Sequence, residues 1–445
     1  NTIVQHLKDE LPLPAKRIIW KDLRSKRPYT DPRFRKTCND ALQLVESFLS
    51  SEAYFGDVLL EASTRLKALS DKSLQPLYKT NFVRVKTLME RFPERGPEYY
   101  FYQYQIEKND YEVRQSNLQR FKISNIDAIL ENLDHFYVIE KLRYFCEVLS
   151  RRTFLKHQYN NILIEEIISL IEAGGFSGVP LVQIYYQIIL SHLHPDNEEH
   201  YFALKGLLQK HSPLLPATEM KEMYTSALNY CNRRINQGQG KFIREAFEMY
   251  KESLVKELLF DKKKLSQWTF KNVVVLALRL GEFEWAEHFI KEYRWYIPEK
   301  YRDNAVTYNL AQLHFYQGDY NRVLNLLQAI DYQDVTYNIG AKTMLFATYY
   351  ELKEWDALYA LAESFKVFIH RRKNTISEGR RKSYVNLIKY TIKLQKLKIH
   401  QQSEISALLD KLVDSKEEIA SANWIKEKIN QKLDTKANLL RAEST

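Results

Sequence analysis

Between Phe270 and Phe365 the chain repeats one two-helix pattern three times, with a step of 37 and then 35 residues. The first copy runs Ala277, Gly281, Phe283, Ala286, Ile290, Tyr293 and Pro298: small residue, turn glycine, aromatic, small residue, two apolar positions and a terminating proline. The second reads Leu310, Ala311, His314, Gly318, Tyr320, Val323, Leu327 and Ile330; the third offers Leu345, Tyr349, Trp355, Leu358, Ala362 and Phe365, with Lys353 in place of the glycine. A helix that stops and reverses within a few residues needs a left-handed backbone position, which glycine adopts cheaply. Lys353 is therefore expected to take a different turn. Ala286 and Ala311 are small where two helices cross, and Phe283, Tyr320 and Trp355 are expected to fill the space between one hairpin and the next.

One such hairpin cannot bury its apolar face alone, so the pattern implies a longer array. The rest of the chain agrees, because 445 residues carry only 12 Gly and 12 Pro, too few to punctuate a sheet protein. Apolar residues recur at helical spacing, as in Leu42, Val45, Phe48 and Leu49, or Val182, Tyr185, Ile188 and Ile189. Breaks at residues 91–97, 174–180, 194–197, 212–216 and 236–240 read as interhelix loops. The expected organisation is a basic N-terminal segment and cap over residues 1–36, a divergent hairpin array over 37–265 and the three clear copies over 266–370. A basic loop with C-terminal helices follows over 371–433, then a polar, fraying tail over 434–445.

The repeated unit resembles the tetratricopeptide hairpin, which makes the expected fold class all-α: an α-solenoid, a right-handed superhelix of such hairpins. A second resemblance rests on Arg27-Pro28-Tyr29-Thr30-Asp31, Leu42, Leu44, Glu46, Phe48 and Leu49. It continues through Cys146-Glu147, Asn229-Tyr230-Cys231, Thr269-Phe270-Lys271-Asn272, Glu282 to Ala286 and Asn423-Trp424-Ile425. These motifs are similar to an uncharacterised bacterial, Bacteroidetes-type, all-helical family with tetratricopeptide-like repeats. That resemblance implies a fold and brings no activity with it. In tetratricopeptide proteins the inner face of the first helices holds an extended peptide; by the resemblance that face comprises Lys271, Val275 and Arg279, then Tyr308, Gln312, Phe315 and Tyr316, then Thr343, Ala347 and Tyr350. Val275 stands where a carboxylate-clamping unit carries asparagine, which argues against that ligand.

The net charge of +10 is local. Residues 1–36 hold ten Lys or Arg against four Asp or Glu, and residues 371–398 hold ten against Glu378 alone. In the second segment Arg371, Arg372 and Lys373 join Arg380, Arg381 and Lys382 across an expected loop. Such a patch attracts an acidic protein surface or phosphates; a solvated helix face is the plainer reading. In the first segment, basic residues surround Ile18, Ile19 and Trp20, a pattern that serves a capping turn, a nucleic acid or a membrane surface.

The aromatic run Tyr99, Tyr100, Phe101, Tyr102 and Tyr104 reads as packing between helices, with base stacking the alternative. Cys38, Cys146 and Cys231 are widely spaced and read as reduced, buried thiols in a reducing, cytoplasmic setting. No phosphate loop, His-Glu-x-x-His, nucleophile elbow or Cys-x-x-Cys occurs. His192, His194 and His200 with Asp196, Glu198 and Glu199 form the nearest thing to a metal set and read as an ordinary loop. The expected function is a non-enzymatic interaction or scaffold protein for a protein or peptide partner, without cofactor, metal or membrane attachment, and monomeric or weakly self-associating, with the monomer favoured. The alternative is a nucleic-acid-associated protein that contacts phosphates through residues 371–398.

Overall fold

Why this chain becomes helical is visible at its helix ends. In the computed structural model, which describes residues 15–23, 28–116, 125–152, 162–328, 334–415 and 418–442, side-chain caps and prolines mark the starts. Thr30, Asp57, Ser266 and Asp334 accept backbone N–H groups of the first turns they precede, and proline opens the helices that begin near residues 31, 75 and 180. Arg27 and Ile330, named above, lie outside the described residues.

The chain divides into two compact units, Asn1–Ala227 and Leu228–Thr445. In the first, α1 (Lys16–Asp22) and the long α2 (Asp31–Gly56) precede α3 (Val58–Asp71), α4 (Gln75–Arg91), α5 (Pro97–Ser116) and α6 (Ile126–Arg152). Then come α7 (Ile164–Glu172), α8 (Pro180–Leu193) and α9 (Glu199–His211); α10 (Ala217–Asn236) runs across the division. Helix α3 packs on both α4 and α5, and α6 on both α5 and α8. The aromatic run faces two sides: Phe101 meets Phe136 of α6 at 5.2 Å between ring centroids and Tyr100 meets His135 at 4.9 Å, while Tyr99 stacks on Phe92 and Tyr102 donates to Asp57 at the start of α3. Those rings therefore pack helix on helix.

This unit also buries carboxylates. Arg143 reaches Glu140, Glu219 and Glu222 at 3.1–3.4 Å, and the Tyr185 hydroxyl donates to Glu219, which is 2% exposed. Burial raises the Glu219 pKa above the usual carboxylate value, against the pull of Tyr185 and Arg143. Asp110, paired with Arg114, is raised for the same first reason.

In the second unit α11 (Lys241–Val255) leads to a two-residue-per-strand hairpin, β1 (Phe260–Asp261) with β2 (Lys264–Leu265), antiparallel. There follow α12 (Gln267–Arg279), α13 (Phe283–Tyr293), α14 (Glu299–Tyr316), α15 (Tyr320–Gln328), α16 (Val335–Glu351) and α17 (Trp355–Arg371). The last three are α18 (Glu378–Lys396), α19 (Gln402–Val413) and α20 (Ala422–Ala442). Helix α20 runs through most of the segment read as a polar tail. From α11 to α19 each helix packs on the next, and α12, α14 and α16 also pack on one another in sequence. The clear copies thus pair as α12–α13, α14–α15 and α16–α17, with Ala286, Ala311, Val323, Leu358, Ala362 and Phe365 at or below 0% to the nearest percent exposed.

The turns inside these hairpins are one structure. Gly281 donates to Leu278 O and Glu282 to Ala277 O; Gly318 donates to Phe315 O and Asp319 to His314 O. Lys353 N donates to Tyr350 O and Glu354 N to Tyr349 O, with Lys353 at φ 62°. This corrects the expectation of a different turn: Lys353 adopts the glycine conformation and bears its strain, because both hydrogen bonds satisfy carbonyls at the helix end. Gly238 makes the same pair of bonds, to Ile235 O and from Gln239 N to Arg234 O, between α10 and α11. Ser73, Gly174 and Glu257 end their helices with the same pair, so it is the common left-handed helix ending and not a mark of the repeat. Of the aromatics that open the second helices, Tyr320 packs on Phe315 and Trp355 on Tyr350, within their own hairpins.

Two more expectations change. Cys146 and Cys231 are buried but Cys38 is exposed, since α2 presents it to solvent. Leu42, Val45, Phe48 and Leu49, whose spacing reads as a core stripe, are all more than half exposed.

Candidate binding surface on helices α12, α14 and α16

The amine of Lys271, on α12, lies over two tyrosine rings, 5.1 Å from the Tyr308 centroid on α14 and 5.5 Å from the Tyr337 centroid on α16. The rings meet edge to face at 4.9 Å and 77°. Tyr337 donates its hydroxyl to Gln267 O at 2.9 Å and packs on Trp268 at 5.2 Å. Asp334 caps α16 by accepting from the N–H groups of Thr336 and Tyr337, which fixes the Tyr337 backbone. Gly340 leaves room for Tyr308: a Cβ there would lie 2.9 Å from its Cζ. Each piece of this cage is thus held by a local cause.

Among the described residues Lys271 has no carboxylate at ion-pair distance. Burial lowers its pKa below the usual lysine value, the positive field of Arg380 lowers it further, and Asp334 opposes both. Gln312 donates to the Tyr308 hydroxyl at 3.4 Å, while its Oε1 and the Oγ1 of Thr343 are buried without a hydrogen-bond partner among the described residues. A half-buried cation with aromatic walls and unsatisfied polar atoms nearby accommodates a negatively charged or hydrogen-bonding group.

The structure brings Lys271, Tyr308 and Gln312 together and adds Tyr337 and Trp268. Tyr308 is only 3% exposed; it was expected to touch a partner and instead props Lys271, because the lysine, Tyr337 and Gly340 cover its ring. Arg279 is exposed and its charge reaches the Tyr316 phenol. Phe315 packs on Tyr320 and Tyr316. Tyr350 lies apart, between Trp355 at 5.7 Å and Trp424 at 5.5 Å, with its pKa raised to about 12 by burial and by Glu351.

The basic segment is distributed over two helix ends. Arg371 closes α17, Arg372 and Lys373 stand in the connection, and Arg380, Arg381 and Lys382 lie in the first turns of α18. All but Arg381 are exposed. Arg372 covers the Phe368 ring at 5.7 Å, and Lys382 pairs with Glu378 at 2.9 Å. The buried Nε of Arg381 lacks a hydrogen-bond partner among the described residues.

Among the described residues no group of three or more His, Cys, Asp or Glu has metal-holding geometry. Both ring nitrogens of His200 face amides, Gln187 at 3.2 Å and Asn197 at 3.3 Å. No helix among the described residues is long and apolar enough to cross a membrane. No family model, curated protein or solved structure matches the chain.

Proposed function

We propose that the chain is a non-enzymatic interaction protein, a right-handed α-solenoid of tetratricopeptide-like hairpins that holds an acidic segment of a protein partner. The observation that carries this reading is Lys271, held half-buried on two tyrosine rings in the field of Arg380 with no carboxylate at ion-pair distance among the described residues. An Asp or Glu side chain from a partner supplies the missing countercharge. The exposed groups around the cage, Trp268, Arg279 and Tyr316, suit an extended peptide, whose backbone and alternate side chains need polar and aromatic contacts together. Arg371, Arg372, Lys373 and Lys382 add long-range attraction for the same acidic partner. The sequential packing of α11 to α19 supports the solenoid, and a bacterial cytoplasm is the setting that the reading implies.

Selection of a random peptide display library on the purified chain tests it. Asp- and Glu-rich peptides are expected to enrich on the native chain and to lose about tenfold in affinity on Lys271→Met, the scale of one charge-assisted contact. Their affinity is expected to fall as pH rises through the lowered Lys271 pKa, below the 10.5 of an ordinary lysine. Retention of an oligonucleotide that Arg371→Glu with Arg372→Glu abolishes and Lys271→Met leaves intact would replace this reading with phosphate contact.

A further inference from the structure

Helix α2 is 26 residues long, about 39 Å at 1.5 Å per residue, and Phe34 is its one buried residue. At 100° per residue, Leu42, Leu44, Val45, Phe48, Leu49 and Phe55 fall on one half of its circumference. All six are more than half exposed, and Leu44 and Phe55 reach 72%. Its principal contact within the chain is with the next helix, α3. An apolar face of this extent is larger than single-chain surfaces usually leave in water.

The charges of α2 say what covers it. Arg33, Arg35 and Lys36 lie near the N-terminus, whereas from Thr37 to Gly56 the helix has no Lys or Arg and carries Asp40, Glu46 and Glu52. Asp31 answers Arg35 and Lys16 at 2.8 and 2.9 Å; Glu46 and Glu52 have no ion-pair partner among the described residues. Apart from Asp31, this order opposes the helix macrodipole, which favours acids at the N-terminus and bases at the C-terminus. Laid antiparallel against an identical helix, each misplaced group becomes well placed. The basic end lies beside the partner helix's negative C-terminus and its glutamates, and the acidic half lies beside a positive N-terminus. A helix that carries both halves of the match fits a second copy of itself under two-fold symmetry.

We infer that two copies of this chain associate through α2, antiparallel about Val45, with Leu42, Val45, Phe48 and Leu49 forming the seam. Cys38 then faces position 52 of the other copy, and Arg35 reaches its Glu52. This replaces the monomer expected from the sequence, and it is independent of the peptide surface on α12, α14 and α16.

Sedimentation of the full chain over a wide concentration range is expected to show a dimer that Val45→Asp with Phe48→Asp weakens about a hundredfold. Arg35→Glu with Lys36→Glu is expected to weaken it too, and adding Glu46→Lys with Glu52→Lys is expected to restore it. A short bis-maleimide is expected to join native Cys38 of one copy to an introduced Glu52→Cys of the other, and to leave the unsubstituted chain uncrosslinked. A monomer at every concentration overturns the inference, as does a dimer indifferent to Val45→Asp with Phe48→Asp, or a charge reversal without rescue. The thermal midpoint of the Val45→Asp, Phe48→Asp chain separates the causes. A monomeric native chain whose midpoint drops on this substitution has the face covered from within, which also overturns the inference; a dimer dissociated with the monomer's helicity intact supports it.

Discussion

Among the described residues, 228–445 place no carboxylate below a tenth exposed, although Lys428 and Glu351 pair at 2.7 Å with side chains 10% and 13% exposed, whereas residues 1–227 place Glu107, Asp110 and Glu219 there. In the C-terminal unit the buried polar groups are hydroxyls and amides such as Asn309, Thr348, Ser383 and Thr391, with Arg234 the one cation among the described residues. The lesson concerns repetition. A hairpin that returns to the same turn can meet its neighbour with the same alanines and aromatics each time, as Ala286, Ala311 and Ala362 do. In the N-terminal unit, ion pairs and side-chain hydrogen bonds join α6, α8 and α10.

The comparison is measurable because five of the six tryptophans, all but Trp20, belong to residues 228–445. Fluorescence therefore reports chiefly one unit, and circular dichroism reports both. The largest expected effect is Phe365→Ala, which removes a fully buried ring and is expected to cost about 4 kcal/mol. In urea it should shift the fluorescence transition and leave part of the dichroism transition in place; a uniform shift of both would show the units to be one cooperative body.

Next in size is Arg143→Ala, expected to cost about 2 kcal/mol by leaving Glu219 buried without its countercharge, less than a fully dry pair because Arg143 is partly solvated. Its effect should appear in dichroism before fluorescence. The same carboxylate gives the N-terminal unit a pH signature. A raised native pKa means that the native state holds its proton more tightly than the unfolded state. Stability is then greatest below the ordinary value of 4.5 and declines as pH rises through the raised pKa. Glu219→Gln should flatten that decline, and an unchanged slope would place the titration elsewhere.

The smallest effect is the most specific. Lys353→Gly should stabilise the C-terminal unit by about 1 kcal/mol, since the left-handed position no longer strains a side chain, while Gly318→Ala should destabilise it by about as much. Equal and opposite shifts in the fluorescence midpoint would show that the two turns are equivalent; a loss of stability in Lys353→Gly would show that the lysine side chain contributes something the turn does not need.

The hairpins of α12 to α17 were legible because a turn glycine followed by an aromatic is a local signal, and local signals survive in a single sequence. The turn at Gly238 was legible as a loop, because Gly238 and Gly240 interrupt the helical pattern. Lys271 and Tyr308 were legible as neighbours on successive helices, but Tyr337 was passed over because the third copy was aligned on Thr343, a turn and a half further along α16. Arg380 belongs to the Lys271 neighbourhood only through folding, and no periodicity announces that. The bare face of α2 was illegible for a physical reason: apolar spacing says that a helix has a side to hide and is silent on whether its own chain hides it.

The paired hydrogen bonds at positions 281, 318 and 353 bear on how these bends tolerate substitution. Backbone groups alone make both bonds, so the reversal does not depend on which side chain stands there: a lysine holds at 353 the bend that glycine holds at 281 and 318.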